Sequence, residues 1–311
     1  FAGAAKAAPN AYVFCTRDRM DERYDMMRSA MDSRWLYIRN YRPDLPYVQP
    51  LEYQFRAQGY QSWARMAREG KLTAATAMFW GRKPAEELYD CSSDPDNIRN
   101  LAADPVHRDT LARMRAALRR HVLDIRDNGF LPEGSPLEGF DASRAPDAVP
   151  WERVIDLANA ASDRDPAHLP RFIEALSDPS EPVRWWAAQA CTMLGSRALP
   201  AAAAIRSRLD DPSGAVQVAA AESLAATGST ADALPVLERW MARRDSPAFA
   251  MQAANVLVRL GESARPLLPA MKSVLAEAQG RGGKSENYPA RLLARSIDVL
   301  EGREQAMVYP E

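Results

Sequence analysis

Cysteine and histidine are both scarce in this chain of 311 residues, three of each. Cys15, Cys91 and Cys191 lie far apart and are odd in number, which argues against a disulfide framework and a paired-spacing zinc site. His107, His121 and His168 share no ligand spacing, and His121 reads as a surface or packing residue of a helix rather than a catalyst. An excess of one charge is also missing: 40 basic and 41 acidic residues leave a formal net charge of -1. A dedicated nucleic-acid binder carries a basic excess on some face, so that class is disfavoured. No apolar run approaches the roughly 18 residues of a membrane span; the Ala-rich stretch Ala201–Ile205 ends at the charged Arg206. Phe1–Pro9 has neither the basic start nor the long apolar run of a signal peptide. The expectation is that these residues belong to the middle of a longer polypeptide.

What is present is an ordinary folded composition, 47% hydrophobic and 26% charged, with length enough for two cores. Up to about Gly139 the pattern is mixed. Tyr12–Cys15, Tyr24–Met31, Arg34–Asn40 and Glu87–Asp90 read as strands, with Asp32-Ser33 turning a hairpin between the second and third. Leu51–Lys71 has helical character. Asp109–Ile125 is an amphipathic helix, with Leu111, Met114, Leu118, Val122 and Ile125 at steps of three and four and Asp104-Pro105 as cap and first-turn proline. Four short strands and one long helix make a small α+β unit with an antiparallel sheet. Leu131–Pro150 is rich in proline, lacks periodicity and reads as a linker.

Beyond it the pattern changes to helix pairs. Leu-Pro recurs at Leu169-Pro170, Leu199-Pro200, Leu234-Pro235 and Leu268-Pro269, and helix-ending glycines fall 33 residues apart at Gly195, Gly228 and Gly261. Asp178-Pro179 and Asp211-Pro212 keep the same 33-residue step, with Ser246-Pro247 slightly displaced; each is read as an N-cap followed by a first-turn proline. Ala187, Ala220 and Ala253 come into register, as do Cys191, Leu224 and Leu257. A fixed period of this size predicts a solenoid of about four helix pairs, capped in front by Trp151–Ala161 and interrupted by an insertion around Gly280–Tyr288. Asp-Pro, Val183-Arg184 and Leu194-Gly195 resemble HEAT repeats. The division expected is therefore 1–130, a linker at 131–150, and an all-α HEAT-like solenoid at 151–311.

The first part carries a second resemblance. Glu87-Leu88-Tyr89-Asp90, then Asp94-Pro95, then Asn100-Leu101-Ala102 is similar to the C-terminal signature of sulfatases, and Arg17–Tyr24, Tyr37–Tyr41 and Asp44–Tyr47 continue the match. Similarity is closest to the heparan N-sulfatase (sulfamidase)-like branch and covers roughly Tyr12 to Glu133; Cys91 departs from the larger apolar residue usual there. The resemblance implies a sulfatase C-terminal subdomain that leans on an upstream catalytic domain. That domain would hydrolyse sulfate esters or N-sulfates, of sulfated glycans above all, by a formylglycine mechanism with calcium. It implies export to the periplasm or outside the cell. It places no catalytic or metal-ligating residue in this chain, and the chain alone is expected to be inactive. Arg17, Asp18, Arg19, Asp21 and Glu22 are the candidate substrate contacts, because arginines pair with anionic sugars through bidentate hydrogen bonds.

Three motifs are set aside. Cys15 and Arg19 stand at formylglycine spacing, but Arg17 occupies the position that needs proline or a small residue. Ala278–Ser285 is one residue short of a P-loop and follows a helix rather than a strand. Trp185-Trp186 reads as core rather than a binding surface. The alternative function is a HEAT-repeat scaffold whose concave surface binds a protein partner, without catalytic activity.

Overall fold

The computed structural model describes residues 10–279 and 288–304. Four strands, β1 (Val13–Arg17), β2 (Met27–Met31), β3 (Trp35–Asn40) and β4 (Glu86–Asp90), form one antiparallel sheet in chain order. Cross-strand partners Ala30, Tyr37 and Leu88 are buried on the same face. The outer edge of β4 does not stay open. Asn100 Oδ1 accepts from the Leu88 N–H at 3.0 Å, Asn100 Nδ2 donates to the Glu86 carbonyl at 3.0 Å, and Leu101 N–H donates to the Leu88 carbonyl at 2.8 Å. The signature residues Asn100-Leu101 thus satisfy an edge that would otherwise template pairing with another chain.

Between β3 and β4 the chain forms α1 (Glu52–Phe55), α2 (Gln58–Arg68) and α3 (Ala74–Ala77) around Trp63, Phe79 and Trp80. The single helical stretch expected at Leu51–Lys71 is broken at Ala57, whose backbone is extended (ψ 127). Helix α4 (Arg108–Asp124) follows a 3-10 turn that Asp104 caps through the Val106 N–H at 3.0 Å. Leu111, Met114, Leu118 and Val122 are buried, whereas Ile125 falls just past the last helical turn and is 42% exposed.

In Leu131–Pro150 lies α5 (Phe140–Arg144), with Leu131, Ser135, Ser143 and Val149 buried. Then come α6 (Trp151–Asp163), α7 (Leu169–Ala175) with α8 (Glu181–Leu194), α9 (Ala202–Arg206) with α10 (Gly214–Ala226), α11 (Thr230–Met241) with α12 (Pro247–Leu260), and α13 (Leu268–Gln279) with α14 (Tyr288–Leu300). Helices α6, α8, α10, α12 and α14 pack in that order, each on the next. Gly195, Gly228 and Gly261 have φ of 61, 99 and 51, a left-handed conformation that glycine adopts without Cβ strain and that ends each helix. Ala187, Ala220, Ala253, Cys191, Leu224 and Leu257 are fully buried between neighbours, and burial pushes the Cys191 thiol up to about 12.

The N-caps of α8 and α10 are Ser180 and Ser213, both with extended backbone, not Asp178 and Asp211. With Pro179 and Pro212 intervening, the aspartates sit two residues ahead and accept from Ser180 N–H at 2.8 Å and Ser213 N–H at 3.0 Å. Asp211 also receives a bidentate pair from Arg184 of α8, both bonds at 2.8 Å, which ties one pair to the next.

The two parts share a core that runs without a break from Met26, just ahead of β2, to Leu224 in α10. Its hinge is aromatic: Tyr41 packs on Phe130 at 4.8 Å and on Trp186 at 6.2 Å, and Trp186 Nε1 donates to the Phe130 carbonyl at 2.9 Å. Trp185 and Trp186 are both buried, in the core where the helix row meets the first part.

Candidate functional site

Of the five candidate contacts, Arg17 ends β1 and the other four lie on the connection from β1 to β2. That connection reverses in a tight turn, with Met20 N–H to Arg23 carbonyl at 2.8 Å and Arg23 N–H to Met20 carbonyl at 2.9 Å, and Asp21 in the left-handed region (φ 46). Arg19 forms a bidentate pair with Glu133, Nε to Oε1 at 2.7 Å. Asp18 accepts from Arg28 at 2.9 Å, and Asp21 accepts from the Tyr288 hydroxyl at 3.0 Å. Glu22, 2% exposed, accepts from the Glu52 N–H at 2.7 Å, while its carbonyl accepts from Asn255 Nδ2 at 2.8 Å. Arg17 is exposed at the end of β1, and its carbonyl accepts from Arg28 at 3.3 Å. Asp18, Arg19, Asp21 and Glu22 therefore bind the turn to the rest of the chain, and Arg17 stands at the surface.

Beneath the turn lies Arg28, which is fully enclosed. It donates to Asp127 at 2.5 and 3.1 Å and to Asp18, and its guanidinium passes so close to Gly129 that a Cβ there would stand 1.8 Å from Nη2. Burial alone would lower the Arg28 pKa, but the hydrogen bond and charge of Asp127 and the charge of Asp18 more than reverse this, so it holds its proton above the ordinary arginine range. Asp18 is raised: burial dominates, and Arg28 offsets it only in part. Tyr24 is also raised, by burial first and then by Glu133 and Asp18.

This arrangement holds and orients; it carries no nucleophile beside a base. Cys15 is exposed on β1, opposite Ser29. His121 stacks on Phe14 at 3.8 Å, and His107 and His168 lie against Trp35 and Phe172. Calcium takes six to eight oxygen ligands, yet among the described residues no three His, Cys, Asp or Glu side chains converge. The residues present do not fit a calcium site. Of the P-loop-like stretch, Gly280–Ser285 lies outside the described residues. Among the described residues no helix is long and apolar enough to cross a membrane.

Sequence reasoning missed the partners of the turn. Glu133, Asn255 and Tyr288 stand 114, 233 and 267 residues from the groups they bind, and no local pattern in the chain signals such pairings.

Two similarities bear on this site. A HEAT-repeat profile matches residues 168–198, which cover α7 and α8 and the start of the following turn. The chain is 40% identical over 135 residues to an ulvan-active sulfatase of Formosa agariphila, a match covering 43% of this chain and 22% of that protein. The chain thus spans about a fifth of the length of the curated relative it matches.

Proposed function

We propose that this chain is the C-terminal part of a sulfatase that hydrolyses sulfate esters of a polysaccharide, ulvan being the first candidate, with its catalytic residues in an upstream domain. The observation that carries the reading is the 40% identity to a sulfatase. The edge lock of β4 by Asn100-Leu101 supports it by giving the signature residues a structural task. The division into 1–130, a connection at 131–150 and a HEAT-like solenoid at 151–311 belongs to the same proposal, as does the sulfatase C-terminal character of the sheet. N-sulfates are the further substrate class, carried by the likeness to the heparan N-sulfatase-like branch. Formylglycine and calcium belong to the upstream domain and supply the nucleophile and its positioning there.

The surface of the first part fits a docked neighbour. Of the large apolar residues left exposed among the described residues, Val13, Met20, Met31, Tyr53, Met66, Met78, Ile98, Val106 and Ile125 precede residue 131, and only Phe140 and Leu199 follow it. Val13 and Met31 are cross-strand partners at one corner of the sheet. A contiguous apolar patch of this kind would mark an interaction face, and the Val13–Met31 corner is where the proposal places it. Within the proposal Arg17 meets the anionic glycan, and Asp18, Arg19, Asp21 and Glu22 fix the turn that presents it. In the whole gene product Arg17→Ala should raise KM several-fold with kcat nearly unchanged; an unaltered KM removes Arg17 from the site.

Peptide mass spectrometry of the gene product tests the reading. A formylglycine ahead of this chain is the expected result, and a coding sequence without a Cys- or Ser-centred modification motif sinks it. The scaffold alternative has one observation against it. Trp186, Glu222, Asn255 and Arg291, from α8, α10, α12 and α14, all contact the first part of the same chain. A protein partner on the repeats would have to use the other row, α7, α9, α11 and α13.

A further inference from the structure

Where the Glu22 turn and α1 face the last helix, the chain forms a groove of about 570 Å³, within the range of small-ligand sites. Its walls include Glu22, Glu52, Phe55 and Gln61 on one side and Arg291 and Arg295 of α14 on the other. Among the described residues that line it, four arginines face four carboxylates, so the groove is formally neutral.

At its base is an incomplete pair. Glu22 is 2% exposed, and one carboxylate oxygen bonds the Glu52 N–H. The other, Oε2, has no hydrogen-bond donor; its nearest cation is Arg291 at 3.6 Å, and Arg291 stands 3.3 Å from Glu52. Both separations exceed a normal hydrogen bond. A buried acceptor left without a donor is unfavourable, so the base of the groove holds an enclosed acceptor and a cation set slightly too far apart for a hydrogen bond.

A sugar hydroxyl fits that gap, because it donates to a carboxylate and accepts from a guanidinium through one oxygen atom. The exposed Gln61 amide adds a donor and an acceptor, and Phe55 adds an apolar wall. Zero net charge and the facing carboxylates disfavour a site built for sulfate groups. We infer that this groove binds a saccharide through its hydroxyls, with Glu22 Oε2 and Arg291 as the central acceptor and donor. The inference rests on the sulfatase reading only for its choice of probe.

The test is calorimetric titration of the 311-residue chain with ulvan oligosaccharides, native and chemically desulfated. Both forms are expected to bind with affinities within about twofold of each other, and 0.5 M salt should change neither by more than that, since screened ion pairing is not the driving force. Glu22→Gln, whose folding is checked by its melting curve because the residue is enclosed, should weaken binding at least tenfold. If that variant fails to fold, Gln61→Ala, altered at an exposed position, should weaken binding three-fold or more. Absence of binding by the wild-type chain, loss of binding on desulfation, or full binding by the folded variants would each overturn the inference. None of these results touches the sulfatase reading, which is judged by sulfate release and formylglycine content.

Discussion

Replacing Arg28 with methionine removes the cation on which the β1–β2 connection is built. Arg28 is 1% exposed, and Asp127 is 8% exposed, so the substitution leaves a carboxylate enclosed without its partner. Breaking a buried pair from one side is typically destabilising by about 3–5 kcal/mol, a large share of the roughly 5–15 kcal/mol that holds a protein folded. The damage should spread, because Asp127 also receives the Gly129 N–H at 2.9 Å and so shapes the turn that carries Phe130 to Trp186. Urea unfolding followed by tryptophan fluorescence reads the loss. Removing both charges with Arg28→Met and Asp127→Asn should recover much of it, since the amide keeps an acceptor for the Gly129 N–H and no charge is left enclosed without its partner. Gly129→Ala acts on the same guanidinium, as its Cβ would stand 1.8 Å from Nη2. It should therefore destabilise the wild type but add little to Arg28→Met, the non-additivity of residues sharing one interaction. A loss below about 1 kcal/mol for Arg28→Met, or a double variant as damaged as the single one, would refute this reasoning.

Two further outcomes follow from the same structure. The hydrogen bond from Arg34 holds the Asp90 carboxyl down to about 2. Its contribution is therefore present above the unfolded value near 4 and lost as pH falls from there toward 2, so Asp90→Asn should flatten the acid limb of a melting-temperature profile; an unchanged limb refutes it. Ala220 is fully buried in α10, which packs on both α8 and α12. Ala220→Arg should destabilise by at least about 1–3 kcal/mol through overpacking, and a thermal melt without loss would show the helix register to be wrong.

The helix pairs were legible because their determinants are local. Glycines 33 residues apart end the second helix of successive pairs, and the small residues about two turns earlier are forced by close approach of neighbours. The four strands were legible for a similar reason, each being a short β-prone run bounded by turn residues, although β1 runs on to Arg17 and β2 starts only at Met27. The N-caps were misplaced by two residues because Asp-Pro and the following serine are both good starts, and only the backbone distinguishes them. The break at Ala57 gave little warning, as alanine itself favours a helix. The charge cluster at Arg17–Glu22 was visible as a cluster but not as a joint. Its partners lie in parts of the chain that only tertiary folding brings near, and charge density alone does not separate a solvated face from a buried network.

Under the proposal, this chain belongs to a sulfatase whose catalytic residues lie upstream of it. Sulfate liberated from ulvan, measured by ion chromatography, tests this in parallel for the complete gene product and for the 311-residue chain. Steady release is expected from the first and none above the blank from the second. Release by the isolated chain, or a folded and metal-supplied gene product that frees no sulfate from ulvan or any other sulfated polysaccharide, would contradict it.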